Sequence, residues 1–506
     1  MLNLATETMY RLLDFAQAKG LAFPIDRAYH LNRLLEVMEV SAPEEIAYSP
    51  EPTPDTADGY LNTLAECAVK LGVIGASAEI RDLFMAKVMG VLTPSPAEVR
   101  EKFAKLFRAS PETATNWFYG MCRDNDSIKV SRIAKNIRFV EDSPAGKLEI
   151  TINLSKPEKD PRDIAAQRQS AQNDYPKCLL CPENSGYAGR LGFPARQNHR
   201  MVPVALGGER WFMQYSPYLY YNEHCIVLNE SHTPMKMGRD TFVKLFDFVA
   251  QFPHYFIGSN ADLPIVGGSI LNHDHFQGGA YRFPMDDAGA RVSLQTEHES
   301  VAAEIVDWPM NVIRLRGTDR EAIIDMATRL LDRWVDYSDP ARDIHASSGG
   351  VRHNAVTPIL RLHGMEWKLD LVLRNNRTTH ENPLGIFHPH EDLHHIKKEN
   401  IGLIEVMGMF VLPGRLVAEF DGLEKYLTGD ARIEEIPRGT SPLRKHYSWI
   451  TQIAKQSGTA LSPDEAKQTI RAALAQKCWR VLADCGVFKD DAGMLAFLET
   501  AGFTKV

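Results

Sequence analysis

The sequence predicts an α+β chain, helical at both ends and mixed through its centre, and three observations carry this. Residues 1–130 repeat apolar side chains at three- and four-residue spacing, the signature of amphipathic helices. From about residue 135 the pattern turns to the period-two alternation of half-buried strands. Between residues 224 and 390 the order strand, helix, strand, strand occurs twice, which predicts an internal duplication.

Taken in order, segments 10–18, 30–40 and 80–91 read as helices, with Pro- and Glu-rich turns over 41–58. Residues 136–141 and 147–154 alternate like strands, and a polar, charged stretch at 155–173 leads to the first cysteine pair. In the centre, 224–229 reads as a strand, 241–252 as a helix, and 255–258 and 270–277 as strands. The second set is a strand at 312–315, a helix at 321–335, and strands at 367–374 and 384–390. The tail from about 413 returns to helix, clearest at 464–482. The predicted division is therefore a helical N-terminal region (1–130), two halves (131–300 and 301–412) and a helical C-terminal region (413–506).

Composition narrows the function. A 506-residue chain with 44% hydrophobic and 24% charged residues is ordinary for a globular protein. A formal charge of −8 argues against a general nucleic-acid binder while allowing a local basic pocket for a phosphorylated small molecule. Residues 1–20 carry Glu7, Arg11 and Asp14, which suits an amphipathic helix and not a signal peptide. No window approaches eighteen apolar residues, so no membrane span is expected. Seven scattered cysteines fit a reducing compartment better than a disulfide framework. The expectation is a cytoplasmic enzyme.

The segment 267–279, Gly-Gly-Ser-Ile-Leu-Asn-His-Asp-His-Phe-Gln-Gly-Gly, concentrates the chemistry. On an extended strand His273, His275 and Gln277 would share one face, with Asp274 and Phe276 on the other. Glycine pairs on both sides would leave bare backbone for close approach of a phosphate chain. Elsewhere, Cys178-Leu-Leu-Cys181 has the spacing of a zinc site, against the alternative of a reduced, metal-free pair. Arg190, Arg196, Asn198 and Arg200 cluster just beyond it. Guanidinium forks suit a diphosphate, although such a run is equally the composition of a solvated loop.

Residues 262–279, Asp-Leu-Pro-Ile-Val-Gly-Gly-Ser-Ile-Leu-Asn-His-Asp-His-Phe-Gln-Gly-Gly, resemble the signature of the class II galactose-1-phosphate uridylyltransferases of the histidine-triad superfamily. Segments 147–161, 178–200, 224–232 and 388–402 are similar to the same family. The resemblance implies two histidine-triad-like halves with antiparallel sheets. It implies exchange of UMP between UDP-glucose and galactose 1-phosphate through a uridylyl-histidine, with His275 the nucleophile and His273 beside it. It also places Asn260 and Ser269 at the phosphates, and His232 and His273 with Cys178 and Cys181 around a zinc ion. A homodimer and no organic cofactor are further implications. Asn272 departs from the pattern, where the family has a small Ser or Ala.

Position 277 sharpens the reading. Histidine-triad hydrolases have a further His there, able to protonate a poor leaving group. A sugar phosphate, with a second pKa of about 6, needs no such acid. A Gln can still donate to a non-bridging phosphoryl oxygen, so transferase is favoured over hydrolase. His388-Pro-His390 carries the tripeptide of the class I nucleophile, but Asp392 stands where Gln would be and would repel a phosphate. It is therefore assigned to the second half, at a structural metal or the edge of the sugar site, with His394, His395, Lys397 and Lys398 as candidate hexose-phosphate contacts. Two rivals stay open: a dinucleoside polyphosphate or sugar-nucleotide phosphorylase of the same superfamily, and a non-catalytic nucleotide-binding module.

Overall fold

The computed structural model describes residues 1–155, 174–437, 439 and 441–506, so most of the polar stretch at 155–173 lies outside the described residues. The chain forms two compact units, and its path alternates between them. The first comprises Met1–Lys135, the described part of Ser155–Thr233, and His273–Gly279; the second comprises Asn136–Leu154, Pro234–Asn272 and Ala280–Val506.

The first unit begins with the helices that the spacing predicts. Leu2–Ala18 buries Met9, Leu12, Leu13 and Ala16 along one stripe. Further helices run Arg27–Val37, Asp58–Lys70, Ala78–Leu92, Pro96–Ala109 and Pro111–Asp124. Ser95 starts Pro96–Ala109 with a capping box: its hydroxyl accepts from the Glu98 N–H at 3.3 Å, and the Glu98 carboxylate accepts from the Ser95 N–H at 2.7 Å. Strands Val202–Leu206, Glu209–Tyr215, Cys225–Asn229 and His275–Gly279 then pair antiparallel in that order. Pro111–Asp124 docks on them through Phe118, 5.3 Å from the Tyr215 ring, and through Tyr215 Oη, which donates to the Thr115 carbonyl at 3.2 Å.

In the second unit, the hairpin Ile137–Ser143 and Gly146–Asn153 gains Met409–Pro413 as a parallel neighbour. Other strands pair antiparallel in the order Thr504–Lys505, Ala290–Gln295, Val301–Val306, Val312–Gly317, Glu366–Asn375, Asn354–His363 and Phe256–Gly258. Asp319 caps helix Arg320–Val335, and Trp334 Nε1 ties that helix to the strand Asn354–His363 by donating to the Ala355 carbonyl at 2.9 Å. Helices Leu416–Thr428, Tyr447–Ser457, Pro463–Cys485 and Asp491–Thr500 form the predicted helical tail. No helix among the described residues is long and apolar enough to cross a membrane.

The fold is α+β, as predicted, and the recurring order is present. Cys225–Asn229, Arg239–Gln251, Phe256–Gly258 and His275–Gly279 are followed by Val312–Gly317, Arg320–Val335, Asn354–His363 and Glu366–Asn375. Two details of the prediction are corrected. Residues 384–390 form no strand, because the last strand of the second set ends at Asn375; Asn354–His363, buried over most of its length and carrying Pro358 within it, shows no alternation to reveal it. The predicted strand at 270–277 begins only at His275.

Candidate active site and metal cluster

Register fixes the faces of the strand His275–Gly279. Its residues pair Leu228↔His275, Val227↔Phe276, Ile226↔Gln277 and Cys225↔Gly278. Side chains alternate, so His275 and Gln277 share one face with Ile226 and Leu228. Phe276 points the other way and stacks on Trp211 at 4.9 Å between ring centroids. That apolar back anchors the strand, and leaves the polar face free for chemistry.

His275 is buried, and its Nδ1 lies 2.8 Å from the His273 carbonyl. A carbonyl only accepts, so Nδ1 carries the hydrogen and Nε2 the lone pair. Burial lowers the imidazole to about 4, which keeps it neutral near pH 7. A neutral imidazole with a defined Nε2 lone pair is a competent nucleophile. Gln277 lies two residues on, and its Oε1 is 3.1 Å from Nε2 of His224. Nothing local in the sequence singles out His224 as a site residue. It sits at the diagonal position across the strand pair, a neighbour of Gln277 that only the register reveals.

His273, two residues before His275, precedes the strand instead of lying on it. It faces the cysteine pair: His273 Nδ1 is 3.3 Å from Cys178 Sγ and 3.6 Å from Cys181 Sγ, and His232 Nδ1 is 3.1 Å from Cys181 Sγ. The two sulfurs are 3.6 Å apart, and all four donor atoms lie within 4.8 Å of one another. Ligands about 2.0–2.3 Å from a shared zinc in a tetrahedron would be about 3.3–3.8 Å apart, a spacing close to that of the four pairs at 3.1–3.6 Å. His273 Nε2 is 2.8 Å from the Asn229 carbonyl, which places the hydrogen there and turns the Nδ1 lone pair to the thiols. Asn184 Nδ2 donates to the Cys178 and Cys181 carbonyls, each at 2.8 Å, and holds the cysteine turn.

The four polar residues beyond the cysteines separate by environment. Arg200 is buried and donates to the carbonyls of Thr93, Pro94, Gln197 and His199. Asn198 exchanges hydrogen bonds with Asn125, at 2.8 and 2.7 Å. Arg190 donates to Tyr187 Oη at 2.8 Å and lies over the Phe193 ring. Arg196 differs: its guanidinium has no hydrogen-bond or ion-pair partner among the described residues, and burial, opposed only by the nearby Tyr218 phenol, lowers it to about 10.

In the second unit, Asn260 is buried and its Oδ1 accepts from the Leu403 N–H at 2.9 Å, while Ser269 is exposed. Lys397 is buried and pairs with Glu405 at 3.0 Å. His388 is buried, with its imidazole lowered to about 4 by desolvation, whereas His390 is exposed beside Asp484. Asp392 is paired with Arg480 at 2.7 Å. The glycines have an internal purpose. A Cβ on Gly267 would run into the Ala261 carbonyl oxygen, and one on Gly268 would meet Asn260 Nδ2 at 2.8 Å. The expectation of bare backbone open to a phosphate is thus corrected at these two positions. Asn272 is exposed, so its departure from the family pattern disturbs no packing.

Family models described as the N-terminal and C-terminal domains of galactose-1-phosphate uridyl transferase match residues 32–234 and 248–428. The chain belongs to the galactose-1-phosphate uridyl transferase family. It is 48% identical over 508 residues to the galactose-1-phosphate uridylyltransferase of Caldanaerobacter subterraneus subsp. tengcongensis, covering 98% of each chain. It is 45% identical over 474 residues to the protein of the same name from Lactiplantibacillus plantarum, covering 94% of each. Among solved structures, yeast Ap4A phosphorylase Apa2 is 13% identical over 69% of this chain and 98% of its own, with a TM-score of 0.33. The family thus extends well beyond the 262–279 signature, across both units.

Proposed function

We propose that the chain exchanges UMP between UDP-glucose and galactose 1-phosphate, giving UDP-galactose and glucose 1-phosphate, through a uridylyl group on His275. Family membership over nearly the whole chain supports the reaction. The observation that carries the site is the pinned tautomer of His275, with Nδ1–H on the His273 carbonyl and the Nε2 lone pair on the face it shares with Gln277. The lone pair attacks the α-phosphorus, and the bond to glucose 1-phosphate breaks with its electrons leaving on the sugar phosphate. An oxygen of galactose 1-phosphate then attacks the same phosphorus and the P–N bond breaks, returning the neutral imidazole. Through both steps the His273 carbonyl stabilises the positive character that reaches Nδ1.

Gln277 supplies a neutral donor to a non-bridging oxygen, which suits departing groups that need no proton. Of the three arginines, Arg196 is assigned to the substrate diphosphate, because its guanidinium is uncommitted. Asn260, Ser269, His388 and His390 are assigned to the phosphates and sugar by resemblance alone. Cys178, Cys181, His232 and His273 would hold zinc. A closed four-ligand site supplies structure, not Lewis-acid chemistry, and would fix the backbone two residues before the nucleophile.

Mass spectrometry after brief exposure to UDP-glucose tests the reading. An acid-labile uridylyl adduct is expected on His275, absent in His275→Ala and retained in His390→Ala. An adduct on His390, or none while transfer proceeds, would overturn it. Parallel assays with galactose 1-phosphate and with inorganic phosphate separate the transferase from a phosphorylase.

A further inference from the structure

We infer that His224 is a positioning residue for the transfer: its Nε2–H holds Gln277 Oε1, so that the amide NH2 of Gln277 is the group presented to the phosphoryl oxygen. The inference rests on the reading that Gln277 donates to the substrate. Two orientations of the pair are available in principle, because an amide can flip and an imidazole can change tautomer. The contact itself, 3.1 Å between His224 Nε2 and Gln277 Oε1, does not choose between them. The other ring nitrogen does. His224 Nδ1 is buried and meets no hydrogen-bond partner among the described residues. If the amide were flipped, His224 Nε2 would have to accept, and Nδ1 would carry a hydrogen buried without an acceptor. Orphaned buried N–H groups are rare and costly, whereas a buried lone pair without a donor is better tolerated. The hydrogen therefore sits on Nε2, Gln277 accepts through Oε1, and its NH2 is left for the substrate.

The surroundings fix His224 in this place. It lies diagonally across the strand pair from Gln277, in the register Ile226↔Gln277. Its ring packs between those of Tyr220 and Tyr221, at 5.5 and 4.5 Å between centroids. Tyr221 Oη donates to the Gly278 carbonyl at 3.2 Å, tying the segment before His224 to the residue after Gln277. Glu223 adopts a left-handed φ of 54°, and a Cβ on Gly279 would meet its carbonyl oxygen at 2.6 Å. Strained backbone at Glu223 and a missing side chain at Gly279 together bring the imidazole to the amide. A protonated His224 would bury a second, unpartnered N–H, and burial accordingly lowers it to about 4, so the orientation holds throughout the neutral range.

The test is a cycle of variants read by single-turnover formation of the uridylyl-enzyme from UDP-glucose, with KM measured alongside. His224→Phe keeps the ring and removes the donor; it should slow the chemical step by about 10- to 100-fold while KM moves less than about twofold. His224→Gln, whose amide nitrogen can reach the place of Nε2, should restore most of the rate. His224→Asn, whose amide stops short, should not, and it replaces the Phe variant should that one fail to fold. The double variant His224→Phe with Gln277→Ala should be no slower than Gln277→Ala alone. Multiplying losses in the double variant, or a His224→Phe enzyme at the wild-type rate, would overturn the inference while leaving the reading of Gln277 intact. A Gln277→Ala enzyme that loses nothing would overturn both.

Discussion

His273 and His275 are two residues apart and use opposite ring nitrogens. His273 spends Nε2–H on the Asn229 carbonyl and turns Nδ1 to two sulfurs; His275 spends Nδ1–H on the His273 carbonyl and keeps Nε2. Each role follows from which nitrogen the backbone claims. A second residue-scale consequence lies at Asp286. It is buried against Lys368 and Arg361, which stand directly opposite one another in the strand register. Like charges opposed across a strand pair repel, and Asp286 offsets that repulsion. Desolvation raises its carboxyl, but Arg361 and Lys368 outweigh this and hold it well below the usual carboxylate range. A carboxyl depressed on folding stabilises above its unfolded pKa of about 3.9 and loses that contribution as pH falls below it. Asp286→Asn should therefore cost about 3–5 kcal/mol at pH 7 by stranding two buried cations. In urea titrations the gap to wild type should narrow by pH 3; a gap unchanged from pH 7 to 3 would refute the account.

At the scale of elements, the strand His275–Gly279 is held by features on both faces and at its end. Phe276 stacks on Trp211 behind it, and Gly279, at φ 153°, lies against the Glu223 carbonyl. Gly279→Ala adds a strained conformation and a 2.6 Å contact with backbone, which cannot swing aside. We expect it to lower the thermal midpoint and to slow uridylyl-enzyme formation, because relief of the contact requires the strand pair to shift beside Gln277. A variant with wild-type midpoint and wild-type rate would show the contact to be harmless. The loop at His388-Pro-His390 behaves differently. Spacing two on a strand would give both histidines one environment, yet one is buried and the other exposed, since the segment is not a strand. Asp392, read from the sequence as a bar to phosphate, spends its charge on Arg480.

At the scale of the whole molecule, the chain leaves the first unit at Thr233 and returns at His273 to supply seven residues that include His275. The four candidate metal ligands come from two segments of this unit, Cys178, Cys181 and His232 from before the departure and His273 from after the return. A metal there would tie the returning segment to the rest of its unit, and binding energy would appear as folding energy. Elemental analysis should find about one zinc per chain, and less than about a tenth would sink the assignment. Chelation should lower the thermal midpoint and deprotect amides around 178–184, 225–233 and 273–279 in hydrogen exchange, with no gain of metal-dependent chemistry. Uniform deprotection across the chain would contradict a local anchor.

Much of this was legible in residue order. The helical ends, the strand alternation at 137–153, the recurring element order and the Cys-x-x-Cys spacing are local patterns, and local patterns survive in one dimension. The His-x-His-x-Gln segment marked a site by residue type, and its resemblance to a family signature implied the chemistry. What the sequence left open depends on partners far along the chain: which nitrogen of each histidine is free, why Gly267 and Gly279 must lack a side chain, which arginine is uncommitted, and that His224 meets Gln277. The physical reason is common to all four. A side chain's identity fixes what it can donate or accept, but only tertiary contacts decide which of those capacities are already spent.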